Sequence, residues 1–198
     1  FWETLRTQVD PIVSCQSVLN RSSRFSSICK SNNFFGGFVD LMKFDFKKFG
    51  IGKAEAECLD PRQFMAITEA GELFSQLSNN FPKNCGVFVG LSASGNDAPT
   101  NNTGTFSVSG SAFCMIANRI SYAFNLTGPS IVVDSACSSS LIALNVAEMY
   151  LANKECDMAI VIGVNALLNA NPFVCINSMK VLSDRCRTFD ENAKGYVR

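Results

Sequence analysis

Three short, nearly continuous apolar runs divide the chain, at residues 85–91, 130–134 and 158–164. Runs of that length, built around Val87, Val89, Val132, Val133 and Ile160, read as buried strands. Helical patterns lie around them. Asp60 can cap a helix, Pro61 suits its first position, and Gln63 can complete a capping box. Behind them Ala66, Ile67, Ala70, Leu73, Phe74 and Leu77 recur at three- and four-residue steps, one apolar face of an amphipathic helix. Residues 112–124 read as a second helix, ended near Gly128-Pro129. Residues 141–152 are apolar almost all the way round, so this third helix is expected to be buried in the interior. Strand, helix, strand with continuous apolar strands predicts a parallel sheet covered on both faces.

The intervening stretches are less regular. The first thirty residues are polar and Ser-rich and give no firm element. Residues 34–49 hold six phenylalanines around Gly36-Gly37, which reads as a loop packing its aromatics onto a core. Residues 92–110 are rich in Gly, Asn, Ser and Thr and read as one long loop, the kind of segment that often carries function. It lacks the Gly-Lys-Ser/Thr ending of a P-loop, which argues against a phosphate cradle.

Composition narrows the class. At 198 residues, 47% hydrophobic and 17% charged, the chain reads as one packed globular domain over residues 1–198. Its 17 basic side chains equal its 17 acidic ones, so no bulk field draws nucleic acid or an anionic membrane. No apolar run approaches the roughly 20 residues that span a bilayer. The nine cysteines are scattered without Cys-x-x-Cys spacing and there is no histidine, so a metal site is not expected. Such scatter suits a reducing, cytoplasmic setting better than a disulfide scaffold. Three glycosylation triplets, at Asn20, Asn101 and Asn125, carry no meaning there. The chain opens on Phe1-Trp2-Glu3 and stops at Arg198, immediately after Gly195-Tyr196-Val197, so it is read as an incomplete domain, a piece of a longer multidomain protein.

One residue stands out chemically. Cys137 falls between the strand at 130–134 and the start of the apolar helix. Free N–H groups and the helix dipole favour negative charge at such a junction, which stabilises a thiolate. The same N–H groups can hold the oxyanion formed when sulfur attacks a thioester. Ser138, Ser139 and Ser140 are small, leave room for an acyl group, and can satisfy first-turn donors. The competing reading is a small buried hydrophobe, and for the other eight cysteines that reading stands.

Asp134-Ser135-Ala136-Cys137-Ser138-Ser139-Ser140-Leu141 resembles the active-site signature of β-ketoacyl synthases, especially those of type I polyketide synthases and related fatty acid synthases. Gly36-Gly37-Phe38, Phe44-Asp45, Asp60-Pro61-Arg62-Gln63, Gly86-Val87-Phe88-Val89-Gly90, Asn118-Arg119-Ile120-Ser121-Tyr122 and Gly128-Pro129-Ser130 follow the family's order. So do Leu182-Ser183, Arg187-Thr188-Phe189-Asp190 and the closing Gly195-Tyr196-Val197-Arg198.

The resemblance implies a thiolase-like α/β fold, layered αβαβα, of which this chain supplies the first half and the start of the second. It implies a homodimer that binds no cofactor directly. The substrates it implies are acyl and malonyl-type thioesters carried on the phosphopantetheine of an acyl carrier protein. It makes Cys137 the acyl-accepting nucleophile, with its backbone N–H in the oxyanion hole. The family's two histidines and accompanying lysine lie downstream of the matched segment, so residues 1–198 alone are expected neither to condense substrates nor to fold independently.

Phe113 and Met115 fall where the resemblance places the acyl pocket, and plain core packing accounts for them equally well. Ser135 replaces the commoner Thr, and the segment Ser183-Asp184-Arg185 is shorter than the family's loop. Lys194 stands where Asp is usual, and Phe64 where Arg is usual, a change expected to loosen a structural ion pair. Two alternatives remain open: a coenzyme A-dependent enzyme of the same fold, and a non-catalytic partner subunit.

Overall fold

A computed structural model describes residues 2–17, 34–39, 44–77, 81–92, 104–169 and 171–197. In chain order the first elements are α1 (Trp2–Thr7), β1 (Val13–Ser14), β2 (Phe35–Gly36), α2 (Lys53–Ala56), α3 (Pro61–Gln76) and β3 (Cys85–Gly90). Then follow α4 (Ser107–Ser111), α5 (Cys114–Phe124), β4 (Ser130–Val133), α6 (Ser139–Ala152), β5 (Met158–Gly163) and α7 (Asn171–Ser178). Most of the Ser-rich opening stretch, the middle of the phenylalanine-rich segment, residues 93–103 of the long loop, and the triplets at Asn20 and Asn101 lie outside the described residues.

The chain divides into two compact units, Lys43–Leu168 and the pair of segments Phe1–Met42 with Asn169–Arg198. In the latter, β1 and β2 pair antiparallel, Val13 opposite Gly36. The Cys15 N–H donates to the Phe34 carbonyl at 2.7 Å, and the buried Phe34 ring meets Phe173 of α7 with centroids 5.1 Å apart. Near its C-terminal end the Tyr196 N–H donates to the Val181 carbonyl, and the Ser183 N–H returns a bond to Tyr196, each at 2.9 Å.

The larger unit is built on the expected parallel sheet, in the order β4-β3-β5. All six residues of central β3 are buried, as a strand with neighbours on both edges and helices on both faces must be. Side chains alternate between the faces with period two. Val87, Val89, Val132 and Ile160 turn toward α3 and α5, where Ala66, Ile67, Ala70, Phe74, Ile116 and Ile120 meet them. Phe88, Ile131, Val133, Ala159 and Val161 turn the other way, toward Ala143 and Ala147 of α6. Complete burial of a side chain such as Ile67 or Phe88 contributes roughly 1.5–3 kcal/mol each. Phenylalanine pairs seal the margins: Phe74 with Phe81 and with Phe124, both at 4.7 Å, and Phe49 with Phe124 at 6.2 Å.

Three expectations change. α6 is covered on one side only: Ser139, Ala143 and Ala147 rest on the sheet, while Leu141 (69% exposed), Leu144 and Met149 face outward. Small residues at i, i+4 and i+8 let the helix lie close to the strands, and among the described residues nothing covers its larger apolar side chains. The end of the long loop is helical, forming α4 at Ser107–Ser111. Asp60 caps α3 by accepting from the Arg62 N–H at 2.8 Å, but Gln63 closes no capping box. Its amide donates to the carbonyls of Ser109 and Gly110 at 3.1 and 2.8 Å, and its oxygen accepts from Arg119 at 2.7 Å. Tertiary partners displace the local one. The Phe64 ring stacks on Phe44 at 5.8 Å, and the buried Asp60–Arg62 pair lies in the same helical turn.

Candidate active site

The route from β4 to α6 determines what Cys137 can do. β4 ends at Val133, and a single 3-10 turn, Ala136–Ser138, leads into the helix. Ala136 sits at φ +57°, the left-handed region that L-residues enter at a cost of roughly 1–2 kcal/mol. The turn is held there by its neighbours. The Ala136 N–H donates to the Asp134 carboxylate at 3.0 Å, and the Ser135 N–H donates to Ser139 Oγ at 2.9 Å. Ser139 Oγ in turn donates to the Ala136 carbonyl at 2.6 Å, and Ser138 Oγ donates to the Ser135 carbonyl at 2.9 Å. This strained, braced corner puts Cys137 on the surface at its apex.

The serines work differently from the expectation that they satisfy first-turn donors. Their hydroxyls bond backward onto the turn, and no side chain caps α6. The positive end of the helix therefore stays unneutralised beside Cys137. In the run 135–139, the N–H groups of Ser135, Ala136, Ser138 and Ser139 all have acceptors. Among the described residues the Cys137 N–H has no backbone acceptor outside its own turn.

Gly90 sets the height of this corner. A Cβ there would stand 2.5 Å from the carbonyl carbon of Ser139 and from N and Cα of Ser140. Only glycine lets the helix start lie directly on the end of β3. The ladder continues past that point, the Leu91 N–H donating to the Val133 carbonyl and the Val164 N–H to the Gly90 carbonyl, each at 3.0 Å. The carboxyl ends of three strands thus form the floor beneath Cys137, where parallel α/β sheets place their chemistry.

Phe113 and Met115 stand at the start of α5, which packs on the sheet. α5 meets the start of β4 at its C-terminal part, where Ser121 Oγ donates to Ser130 Oγ at 3.1 Å. Phe113 is half-buried at the cap position, packed on the core, with the Arg62 guanidinium 4.9 Å from its ring centroid. Met115 is half-buried in the first turn. Sequence reasoning missed the charged cluster behind them: Asp60 with Arg62, and Arg119 with Glu55 at 2.7 Å and Gln63. All four of Asp60, Arg62, Gln63 and Arg119 stand inside the quoted motifs, so the signal was present, but pairing across 56 positions has no local signature.

The remaining cysteines differ in setting. Cys15, Cys58, Cys85 and Cys156 are buried. Burial, reinforced by nearby Cys156, pushes the Cys85 thiol up to about 11, which keeps it neutral and unreactive. Cys114, Cys175 and Cys186 are exposed, but none follows a strand of the sheet. An open surface cavity of about 660 Å3 lies in the smaller unit beside Leu182, Asp184, Arg187 and Lys194. No cysteine lines it. Among the described residues there is no cluster of three metal-ligating side chains, and no helix is long and apolar enough to cross a membrane.

A parallel sheet between helices, with a cysteine at a strained strand-to-helix corner, has the thiolase-like architecture of ketosynthase domains. The model of the β-ketoacyl synthase N-terminal domain matches residues 1–198, and the chain belongs to that family. It is 36% identical over 193 residues to a highly reducing polyketide synthase from Cryptosporiopsis sp. (strain 8999), covering 88% of this chain and 8% of that protein. It is 34% identical over 186 residues to a polyketide synthase from Bacillus subtilis (strain 168), covering 91% of this chain and 4% of that one. Among solved structures, the ketosynthase from module 6 of the bacillaene synthase from Bacillus subtilis 168 superposes with a TM-score of 0.81 at 30% identity. That match covers 99% of this chain and 34% of the ketosynthase, so this chain spans about a third of that solved chain and a small part of the curated relatives.

Proposed function

We propose that Cys137 is the acyl-accepting nucleophile of a β-ketoacyl synthase that elongates a polyketide chain. The observation that carries this is the corner itself: an exposed cysteine on a strained, hydroxyl-braced turn, ahead of a helix whose positive end no side chain neutralises. In the first stage the Cys137 thiolate attacks the carbonyl of an acyl thioester. The tetrahedral oxyanion accepts from the Cys137 N–H, then collapses, expelling the carrier thiolate and leaving acyl-Cys137. In the second stage a malonyl-type thioester loses carbon dioxide, and its enolate carbon bonds to the acyl carbonyl. The carbon–sulfur bond to Cys137 breaks, releasing a β-ketoacyl thioester and restoring the thiolate.

The enolate oxygen needs hydrogen-bond donors. No histidine of this sequence supplies them, and the resemblance places the two histidines and lysine of the second stage in further chain. An acyl carrier protein presenting its thioesters on phosphopantetheine, a homodimeric assembly and a cytoplasmic setting complete the reading. The relatives named above are polyketide synthases, which favours that chemistry over fatty acid elongation. One incomplete ketosynthase domain over residues 1–198 is part of the same proposal, as is an acyl pocket lined by Phe113 and Met115.

The test uses the full-length synthase that carries this chain. Incubated with an acyl-pantetheine thioester, it should gain one acyl mass on the peptide containing Cys137, and Cys137→Ala should lose both that label and product formation. Product formation unchanged by Cys137→Ala would overturn the reading in favour of a non-catalytic partner. Labelling by coenzyme A thioesters with no carrier protein present would favour the coenzyme A-dependent class.

A further inference from the structure

The buried charges behind Phe113 have no part in the two chemical stages above. Arg62 is fully buried at the start of α3. Its Nε spans both Asp60 carboxylate oxygens at 2.9 and 3.1 Å, and its Nη2 also donates to Asp60. The remaining nitrogen, Nη1, is buried with no hydrogen-bond partner. The guanidinium instead lies against the Phe113 ring, 4.9 Å from its centroid.

A second set of bonds fastens the backbone that carries this ring. The Asp60 N–H and the Gln63 amide both donate to the Gly110 carbonyl at 2.8 Å. Gln63 is itself held by Arg119, which pairs with Glu55. Gly110 lies so close to Cys58 that a Cβ would stand 2.2 Å from the Cys58 carbonyl oxygen. The segment 109–113 is therefore clamped from two sides.

A buried ion pair adds little net stability, because the loss of hydration offsets the attraction. A cluster that also leaves a buried N–H unsatisfied is better explained by what it holds in place. We infer that Arg62 is a positioning residue for acyl-chain selection: its guanidinium, locked by Asp60, fixes the Phe113 ring and with it the depth open to an acyl chain on Cys137. This rests on the reading of Phe113 as a pocket wall, proposed above.

The experiment measures Cys137 acylation rates in the full-length synthase with acetyl and octanoyl pantetheine thioesters. Phe113→Ala is compared with the paired change Asp60→Asn, Arg62→Leu, which leaves no lone buried charge, and with the combination of all three. Phe113→Ala and the paired change should each alter the octanoyl-to-acetyl ratio by about tenfold, in the same direction. The combination should go no further, because both act on one ring. If Phe113→Ala shifts the ratio and the paired change does not, the role of Arg62 is refuted and the pocket wall stands. If neither shifts it, both fall. A combined shift equal to the product of the two also overturns the assignment. Should the paired variant fail to fold, Arg62→Lys keeps the charge without the fork, and an unchanged ratio in it overturns the assignment equally.

Discussion

Gly90→Ala tests whether the helix start positions Cys137, the proposed nucleophile. The added Cβ would meet three backbone atoms of Ser139 and Ser140 at 2.5 Å, and none of them can rotate away as a side-chain tip could. Ordinary carbon contacts begin near 3.5 Å, so the start of α6 must rise by about 1 Å. Cys137 lies two residues before Ser139, and the same displacement breaks or lengthens the Ser139 hydroxyl bonds that brace the corner. Overpacking of this kind costs about 1–3 kcal/mol of stability. A nucleophile misplaced by about 1 Å loses on the order of a hundredfold in rate. Acylation of Cys137 in the full-length protein, followed by intact mass at short times, should slow by that order while the fold persists in thermal melts. An acylation rate within twofold of the parent, with an unchanged melting temperature, would refute the idea that strand and helix must touch here.

Other substitutions probe the remaining parts. Ser139→Ala removes a buried hydroxyl serving two backbone groups, and urea titration should show a loss of about 1–3 kcal/mol. Ala136→Gly relieves a left-handed alanine and should raise stability by about 0.5–1 kcal/mol, read as a higher denaturation midpoint. Arg119→Met strands Glu55 and the Gln63 oxygen, and should cost about 3 kcal/mol in the same titration. The Cys85 thiol is raised in the folded state to about 11 from an ordinary 9.0. The neutral thiol's contribution is thus complete below pH 9 and fades as pH rises toward 11, by about 2–3 kcal/mol in all. Cys85→Ala should flatten that alkaline decline in denaturation midpoint, and an equally steep decline in the variant would show that other groups cause it.

Several elements were legible in the residues alone, for local reasons. The cap of α3 needs only Asp60 and Pro61, and the strands need only their apolar runs, so β3, β4 and β5 fall within the expected spans. Cys137 was legible from its place between a strand and a helix. What escaped depends on distant or conformational partners. Gln63 fits a capping box until Arg119 and the Gly110 carbonyl, neither near it in sequence, claim both ends of its amide. The serines at 138 and 139 turn backward because Ala136 adopts a positive φ, and an alanine gives no hint of that. The apolar residues of α6 encode a need for cover on every side, but not which surface supplies it.

Cys137 stands at the apex of its turn while neighbouring hydroxyls and backbone groups do the bracing. Its sulfur is therefore the one part of the corner the architecture does not lean on. On the proposed reading, reactivity and shape are carried by different atoms, and one can be changed without the other. Replacing the thiol with a hydroxyl or a methyl group leaves the scaffold intact, so chemically silent versions serve as faithful structural stand-ins. On that reading, a descendant of this chain is free to lose the proposed catalysis in a single step and survive as a well-folded protein.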